Sequence, residues 1–417
     1  MACWSVESEV GRLRQVMVHQ PGVEHRRTIP WNKDALLFDD ILDIEEARPE
    51  HKQFTTLLAE HGVEVLFLLD LLKDICRDTD AREQIYREVL GGDVLSRVDA
   101  RGLSPHQLIA GFPANEFVAA PCRVEPLPNM YFARDAAFAV PGAVVVSHPY
   151  WPARQRESRI AAAVLRRHPR FEGLVVYEGI LRDEAATIEG GDVHVVDDGT
   201  VMVGLGERTN DAGADHLARF LFEHTSVTRL LKLRIPANRV FMHLDTILTF
   251  VDRGQVLTMP CLWDRPDLYA AVARAAAAQC GRLRFEYRGP SPEMLEQRST
   301  LEVVTASGIE AVFDNALEGL ASLGLIDPGR TVLVGGAAGD FARPEDHIVE
   351  ALREQWNDAA NAFALKPGQV MGYSSNDRTF RALERAGVEV VQFRGSELVR
   401  GRGGARCMTM PLSRGAI

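Results

Sequence analysis

Short runs of β-branched and apolar residues recur along most of the chain, bounded in the main by Gly, Pro, Asp or Asn, as strands usually are. They predict strands at Gln15–His19, Val63–Leu68, Ala143–Ser147, Leu174–Tyr177, Val193–Val196, Val201–Gly204, Thr246–Phe250, Gln255–Met259, Val332–Gly335, Gln369–Tyr373 and Glu389–Phe393. Between them, apolar residues at helical spacing predict helices over Arg154–Arg167, Ala212–Phe222, Pro266–Cys280, Glu310–Leu323, Pro344–Trp356 and Asn376–Ala386. Pro266 and Pro344 stand at helix starts, and Gly281 and Gly387 follow the last periodic residue. The alternation is a mixed α/β layout. One stretch differs: residues 71–120 hold helical runs such as Asp80–Leu90 and Pro105–Ala110 but no convincing strand. They read as a small helical insertion between segments 1–70 and 121–417.

Composition narrows the class. The chain has 417 residues, 46% hydrophobic and 25% charged, an ordinary globular mix. Its net charge of −11, with no block of like charge, speaks against a phosphate-binding or basic membrane surface, both of which need clustered Lys and Arg. No apolar leader opens the sequence, and the longest stretch without strongly polar side chains, Ala136–Val146, is far short of the ~20 residues of a membrane span. A cytoplasmic protein binding neither nucleic acid nor membrane is expected. Six scattered cysteines form no Cys-x-x-Cys pair or zinc-ligand cluster, and reduced thiols are expected.

Four segments are dense in polar residues that strands avoid: PLPNMYFARD (Pro126–Asp135), TIEGGDVH (Thr187–His194), HLDT (His243–Thr246) and GRGGARCMTMPL (Gly401–Leu412). On a strand, His243 and Asp245 would share a face, a plausible catalytic pairing. Each segment alone also has a plain structural reading. His-x-Asp is often a satisfied structural pair, Glu-Gly-Gly-Asp a turn, and a lone cysteine a buried inert thiol.

Taken together and in this order, these segments resemble arginine deiminase, a family of guanidino-group-modifying enzymes. SEVGRLRQVMVHQPG (Ser8–Gly22), NKDALLFDDI (Asn32–Ile41), YWPAR (Tyr150–Arg154) and GERT (Gly206–Thr209) extend the likeness over practically the whole chain. The chemistry is compatible. A guanidinium offers five N–H donors in a planar fork that carboxylates match. Its carbon is a poor electrophile, so a thiolate that splits the substitution into two steps, with an acid/base to move protons, is a sufficient inventory without metal or cofactor.

The resemblance implies a five-bladed α/β propeller with pseudo-fivefold symmetry, and hydrolysis of L-arginine to citrulline and ammonia through an amidino-cysteine. It assigns Cys407 as nucleophile and His243 as proton shuttle. Asp135 and Asp245 become the guanidinium ligands, with Glu189 joining them and tuning His243. Arg154, Arg208 and Asn129 match the carboxylate-binding positions, Phe132 and Leu37 the pocket wall, and Gly401 and Arg402 a closing loop. A homo-oligomer is also implied. The chain departs from the family at Ser374-Ser375, where relatives usually carry Arg-Asn. An amidinotransferase of the same superfamily would use the same cysteine adduct. A silent arginine-binding protein would be expected to have lost the nucleophile or its partners.

Overall fold

The computed structural model describes residues 4–95, 102–112, 124–260, 266–296, 298–415 and 417. One step repeats through it. β1 (Leu13–Val18) leads through helix Ile44–Glu60 to β2 (Glu64–Phe67), which lies parallel to β1. The hairpin of β3 (Ala137–Val140) and β4 (Ala143–Val146) is followed by helix Pro152–Arg167 and by β5 (Val176–Tyr177), parallel to β4. β6 (Val193–Asp197) and β7 (Thr200–Leu205) repeat the hairpin; helix Asp211–His224 then leads to β8 (Arg229–Arg234), parallel to β7. β9 (Leu248–Asp252) and β10 (Gln255–Thr258) follow. Helix Pro266–Arg282, β11 (Leu301–Thr305) and β12 (Gly308–Phe313) then precede β13 (Val332–Leu333), parallel to β10. β14 (Phe363–Lys366) and β15 (Gln369–Tyr373) pass through helix Asp377–Arg385 to β16 (Glu389–Phe393). Finally β17 (Met410–Arg414) pairs antiparallel with β1 and completes the first sheet from the other end of the chain.

The result is five small sheets, each containing an antiparallel pair with a further strand parallel to one of its members; in four of them the pair is a hairpin, and in the first it is β1 with β17. A parallel neighbour requires a crossover connection, which is why a helix stands at the same place in every step. β3, β4 and β7 are buried along their whole length, so they read as continuous apolar runs instead of alternating ones. Local signals start the helices: Pro152 and Pro344 occupy their first turns, and Asn210 caps its helix by accepting from Gly213 N at 2.9 Å, a contact typically worth about 1 kcal/mol.

Two expectations need correction. Residues 310–323 are not one helix: β12 runs to Phe313 and a helix covers only Ala316–Ser322. Ile309, Val312 and Phe313 have helical spacing, but β12 pairs with β11, and β11 with β8, extending the third sheet to five strands. HLDT is not a strand either. His243 caps a 3₁₀ turn at Leu244–Thr246. The expected helical insertion is helical where described, at Thr79–Leu90 and Gln107–Ala110, with only an isolated bridge from Phe112 to Val124. Leu71, Ile85 and Val89 share one core with Val144 and Ile160 of the second sheet's unit. Its positions 96–101 and 113–120 lie outside the described residues.

Candidate active site

The repeated step places chemistry at a repeated position, the segment leading into the first strand of each hairpin. Asp135 precedes β3, Glu189 precedes β6, and His243 and Asp245 precede β9; Asn361 precedes β14 and Cys407 precedes β17. All six are at most 3% exposed. Irregular backbone at strand ends frees these side chains from the pleat. Three of them, Asp135, His243 and Cys407, line one cavity, and Glu189, Asp245 and Asn361 lie against His243 and Cys407.

His243 Nε2 lies 2.9 Å from Glu189 Oε2, and its Nδ1 lies 3.8 Å from Asp135 Oδ1. Burial opposes a charge on the ring, but Asp135, Glu189 and Asp192 outweigh it and raise the imidazole to about 9. Asp192 fixes the turn beneath it, accepting from Leu244 N at 2.9 Å and from Thr209 Oγ1 at 2.6 Å. Gly191 donates its N–H to Asp135 Oδ1 at 3.1 Å, and a Cβ there would stand 2.7 Å from the His243 ring. The close approach of backbone to imidazole demands a glycine.

Cys407 Sγ lies 3.7 Å from Asp245 Oδ2. Its thiol is raised well above the usual range by burial first, then by Asp245, Asp135 and Asp358. Asn361 joins the two halves, accepting from Cys407 N at 2.9 Å and donating to Asp245 O at 3.3 Å. Among the described residues, Asp245 Oδ1 has no hydrogen-bond partner although it is buried. An unpaired carboxylate oxygen in a closed pocket is costly unless a donor arrives.

The remaining sequence-predicted residues gather on the same cavity: Leu37, Asn129, Phe132, Arg154, Arg208, Gly401 and Arg402 line it with Asp135, His243 and Cys407. Leu37 and Arg402 both hold left-handed backbone, at φ +58° and +62°. Such strain concentrates at functional sites. Arg402 is held by stacking on Trp356, 3.7 Å from the ring centre, and by donating to Val240 O at 3.3 Å. Ser374 and Ser375 lie on an exposed turn and do not line the cavity.

Arg154 is placed differently from what a carboxylate-binding role alone suggests. Its guanidinium donates to Asp135 Oδ2 at 2.8 Å and to Glu157 Oε2 at 2.8 Å, and lies 3.6 Å from Glu189. Arg208 Nη1 donates to Glu189 Oε2 at 3.4 Å. The atoms of Asp135, Glu189 and His243 also fall within 4.8 Å of one another, a spacing a metal could use. Here a guanidinium already spans the two carboxylates. Between these side chains the free volume is only ≈10 Å³, about one water, so a substrate enters only when part of the wall moves.

The arginine deiminase family model matches residues 34–104, 98–281 and 341–414. An arginine deiminase of Rhodococcus erythropolis is 35% identical, over 98% of this chain and 97% of its own. One of Mycobacterium marinum is 36% identical over the same shares, and one of Staphylococcus haemolyticus is 31% identical over 98% of each. The chain belongs to the arginine deiminase family. Among solved structures, the N-terminal domain of ArgZ, an arginine dihydrolase from cyanobacteria, aligns with a TM-score of 0.54 over 97% of this chain and 98% of that one. Its identity of 16% speaks to the fold alone. Sequence reasoning missed Asn361, which sits in no motif whose chemistry would single it out, and Asp192 and Arg406, which sit in TIEGGDVH and GRGGARCMTMPL but were not singled out within them.

Proposed function

We propose that the protein is an arginine deiminase, converting L-arginine and water to citrulline and ammonia. The observation that carries this reading is the meeting of Cys407, Asp245, His243 and Glu189 in a pocket whose carboxylates already hold a guanidinium, that of Arg154. A substrate guanidinium takes that place on Asp135 and satisfies the free Oδ1 of Asp245. Arg154, released from Asp135, joins Arg208 and Asn129 at the α-carboxylate, a bidentate partner for which arginine is suited. Gly401 and Arg402 move to admit the substrate and close over it.

Cys407 attacks the guanidinium carbon as thiolate. The tetrahedral adduct expels ammonia as the imidazolium of His243 gives its proton to the leaving nitrogen. Neutral His243 then takes a proton from water as hydroxide adds to the amidino carbon. Collapse breaks the C–S bond, and the proton of the new hydroxyl passes to the departing sulfur as citrulline leaves, restoring the thiol, while the proton that Cys407 lost on ionising leaves with ammonia as ammonium. Glu189 holds His243 in its charged form before the first step. The test is release of citrulline and ammonia from arginine by the purified chain with no second substrate, and loss of both in Cys407→Ala. Amidino transfer would instead require an amine acceptor and release no ammonia.

The same reading takes the five sheets as blades of a five-bladed α/β propeller with pseudo-fivefold symmetry, formed by 1–70 and 121–417 with 71–120 inserted. It is supported by the repeated hairpin–helix–strand step and by β17 closing onto β1. A cytoplasmic homo-oligomer is the assembly that follows from the family likeness, and light scattering tests its stoichiometry.

A further inference from the structure

Beside the pocket, Asp245 is the end of a buried chain of charges whose other members, Arg406 and Glu9, the proposed reaction does not use. Arg406 is wholly buried and spends its donors on three groups: Nε to Glu9 Oε2 at 3.1 Å, Nη1 to Asp245 Oδ2 at 2.8 Å and Nη2 to Val193 O at 2.8 Å. Glu9 is 6% exposed and is itself fixed to β6, since its N–H donates to Val195 O at 2.7 Å and its Oε1 accepts from Val195 N at 3.3 Å. A planar guanidinium held by Glu9 and Val193 at two points has little freedom left, so the carboxylate on its third contact is held as well. That carboxylate is Asp245, whose Oδ2 is the atom 3.7 Å from Cys407 Sγ. Glu9 thus reaches the sulfur through two charge-assisted contacts.

The arrangement is not explained as stability alone. Burying an ion triad costs several kcal/mol per ion in desolvation, and apolar replacements of similar volume are often as stable or more so. What the triad supplies is direction. With Arg406 held by Glu9, Asp245 keeps Oδ2 toward the sulfur, while its buried Oδ1 has no hydrogen-bond partner among the described residues.

We infer that Glu9 is a positioning residue for the nucleophile's carboxylate partner, acting through Arg406 on Asp245. This rests on the deiminase reading, and its test separates the two. Wild-type turnover of arginine reads the function; a double-mutant cycle of Glu9→Gln, Arg406→Lys and the pair reads the relay. Both replacements are close in size, and thermal melting of each variant checks that it is folded. Each single change is expected to lower kcat about 10- to 50-fold while KM changes less than about 3-fold, because the contact serves the reacting geometry more than capture. The pair is expected to be no worse than about 2-fold below the poorer single variant, because both changes break one relay. A Glu9→Gln enzyme with wild-type kcat, or a loss in the pair equal to the product of the two single losses, overturns the proposal. A purely structural role would lower the melting temperature and leave kcat per folded enzyme intact. If the wild type does not turn over arginine, the deiminase reading fails and the relay is read crystallographically. Asp245 shifted or rotated in Glu9→Gln supports it, and an unmoved Asp245 overturns it.

Discussion

His243 Nε2 stands 2.9 Å from Glu189 Oε2, with both side chains at most 2% exposed. At that depth burial alone would keep the imidazole neutral, yet the surrounding carboxylates hold it charged to about 9. The expected pH profile follows. Its donor is present through neutrality, and kcat/KM falls on the alkaline side as pH passes about 9. Glu189→Gln removes a charge-assisted contact worth about 1.5–3 kcal/mol, so the alkaline limb should move down by roughly one to two pH units. The check is kcat/KM against pH for both enzymes, and an unmoved limb would assign the charge on His243 to other groups. The sign for stability agrees. The folded value lies above the unfolded 6.5, so this stabilisation is full below 6.5 and is lost as pH rises through about 9.

The two pocket arginines should separate in their effects. Arg208 is held loosely, with Nη1 3.4 Å from Glu189 and Nε 3.9 Å from Glu207, and among the described residues its Nε makes no hydrogen bond, which leaves it able to meet a carboxylate. Arg208→Ala is expected to lower kcat/KM for arginine by roughly 10- to 150-fold, from one lost charge-assisted contact, and to spare agmatine, which lacks that group. Arg154 also anchors Asp135 at 2.8 Å, so Arg154→Ala should impair both substrates. Equal losses for the two substrates in Arg208→Ala would make Arg208 a structural residue.

The family likeness picked out Asp135, Glu189, His243, Asp245 and Cys407, all of which lie in or against one pocket. Their convergence was not legible in spacing, because it depends on five strand entries meeting, and that repeat lives in backbone topology with no echo in residue identity. Asn361 shows the consequence. It stands at the entry of β14 as Cys407 does at that of β17, yet a single Asn before an apolar run carries no signal by itself. β12 shows the opposite fault, a local pattern of helical spacing overruled by pairing across a sheet. The role of Arg154 was legible only in part, since its contact with Asp135 is a matter of distance in space.

Acid should weaken the fold through histidines that the reaction does not use. His51 is wholly buried, and among the described residues neither ring nitrogen has a hydrogen-bond partner; burial first, with His19 adding to it, lowers its pKa to about 3. His25, packed against Phe38 and Tyr131, is lowered to about 4, chiefly by burial, against the pull of Glu24. The unfolded chain binds these protons below 6.5 and the folded one does not, so stability falls as pH drops from 6.5. At pH 5 each costs about 2 kcal/mol, from a gap of 1.5 pH units. Urea unfolding at pH 7 and pH 5 measures the drop. His51→Leu should reduce it by roughly one histidine's share, and an unchanged drop would show that His51 does not carry it.

Cys407 should become a nucleophile only when a guanidinium arrives. Burial, then Asp245, Asp135 and Asp358, push its thiol well above the usual range. With Asp245 Oδ2 only 3.7 Å from the sulfur, a negative charge there strongly disfavours the thiolate. Arg406, 2.8 Å from the same carboxylate, offsets part of this, and the imidazolium of His243 a further part. Neither is positioned to neutralise the free Oδ1. A bound guanidinium is, and it brings its positive charge to the face of the pocket where the thiolate forms. The expected result is a neutral thiol at rest and a fall of at least about one pKa unit on binding a non-reacting guanidine. Thiolate absorbance against pH, with and without that analogue, measures it, and Cys407→Ser subtracts the other five cysteines. A resting value well below 7, or no fall on binding, would replace this scheme with a preformed Cys407–His243 ion pair. In that case Asp245 would serve to orient the substrate and have no part in gating the sulfur.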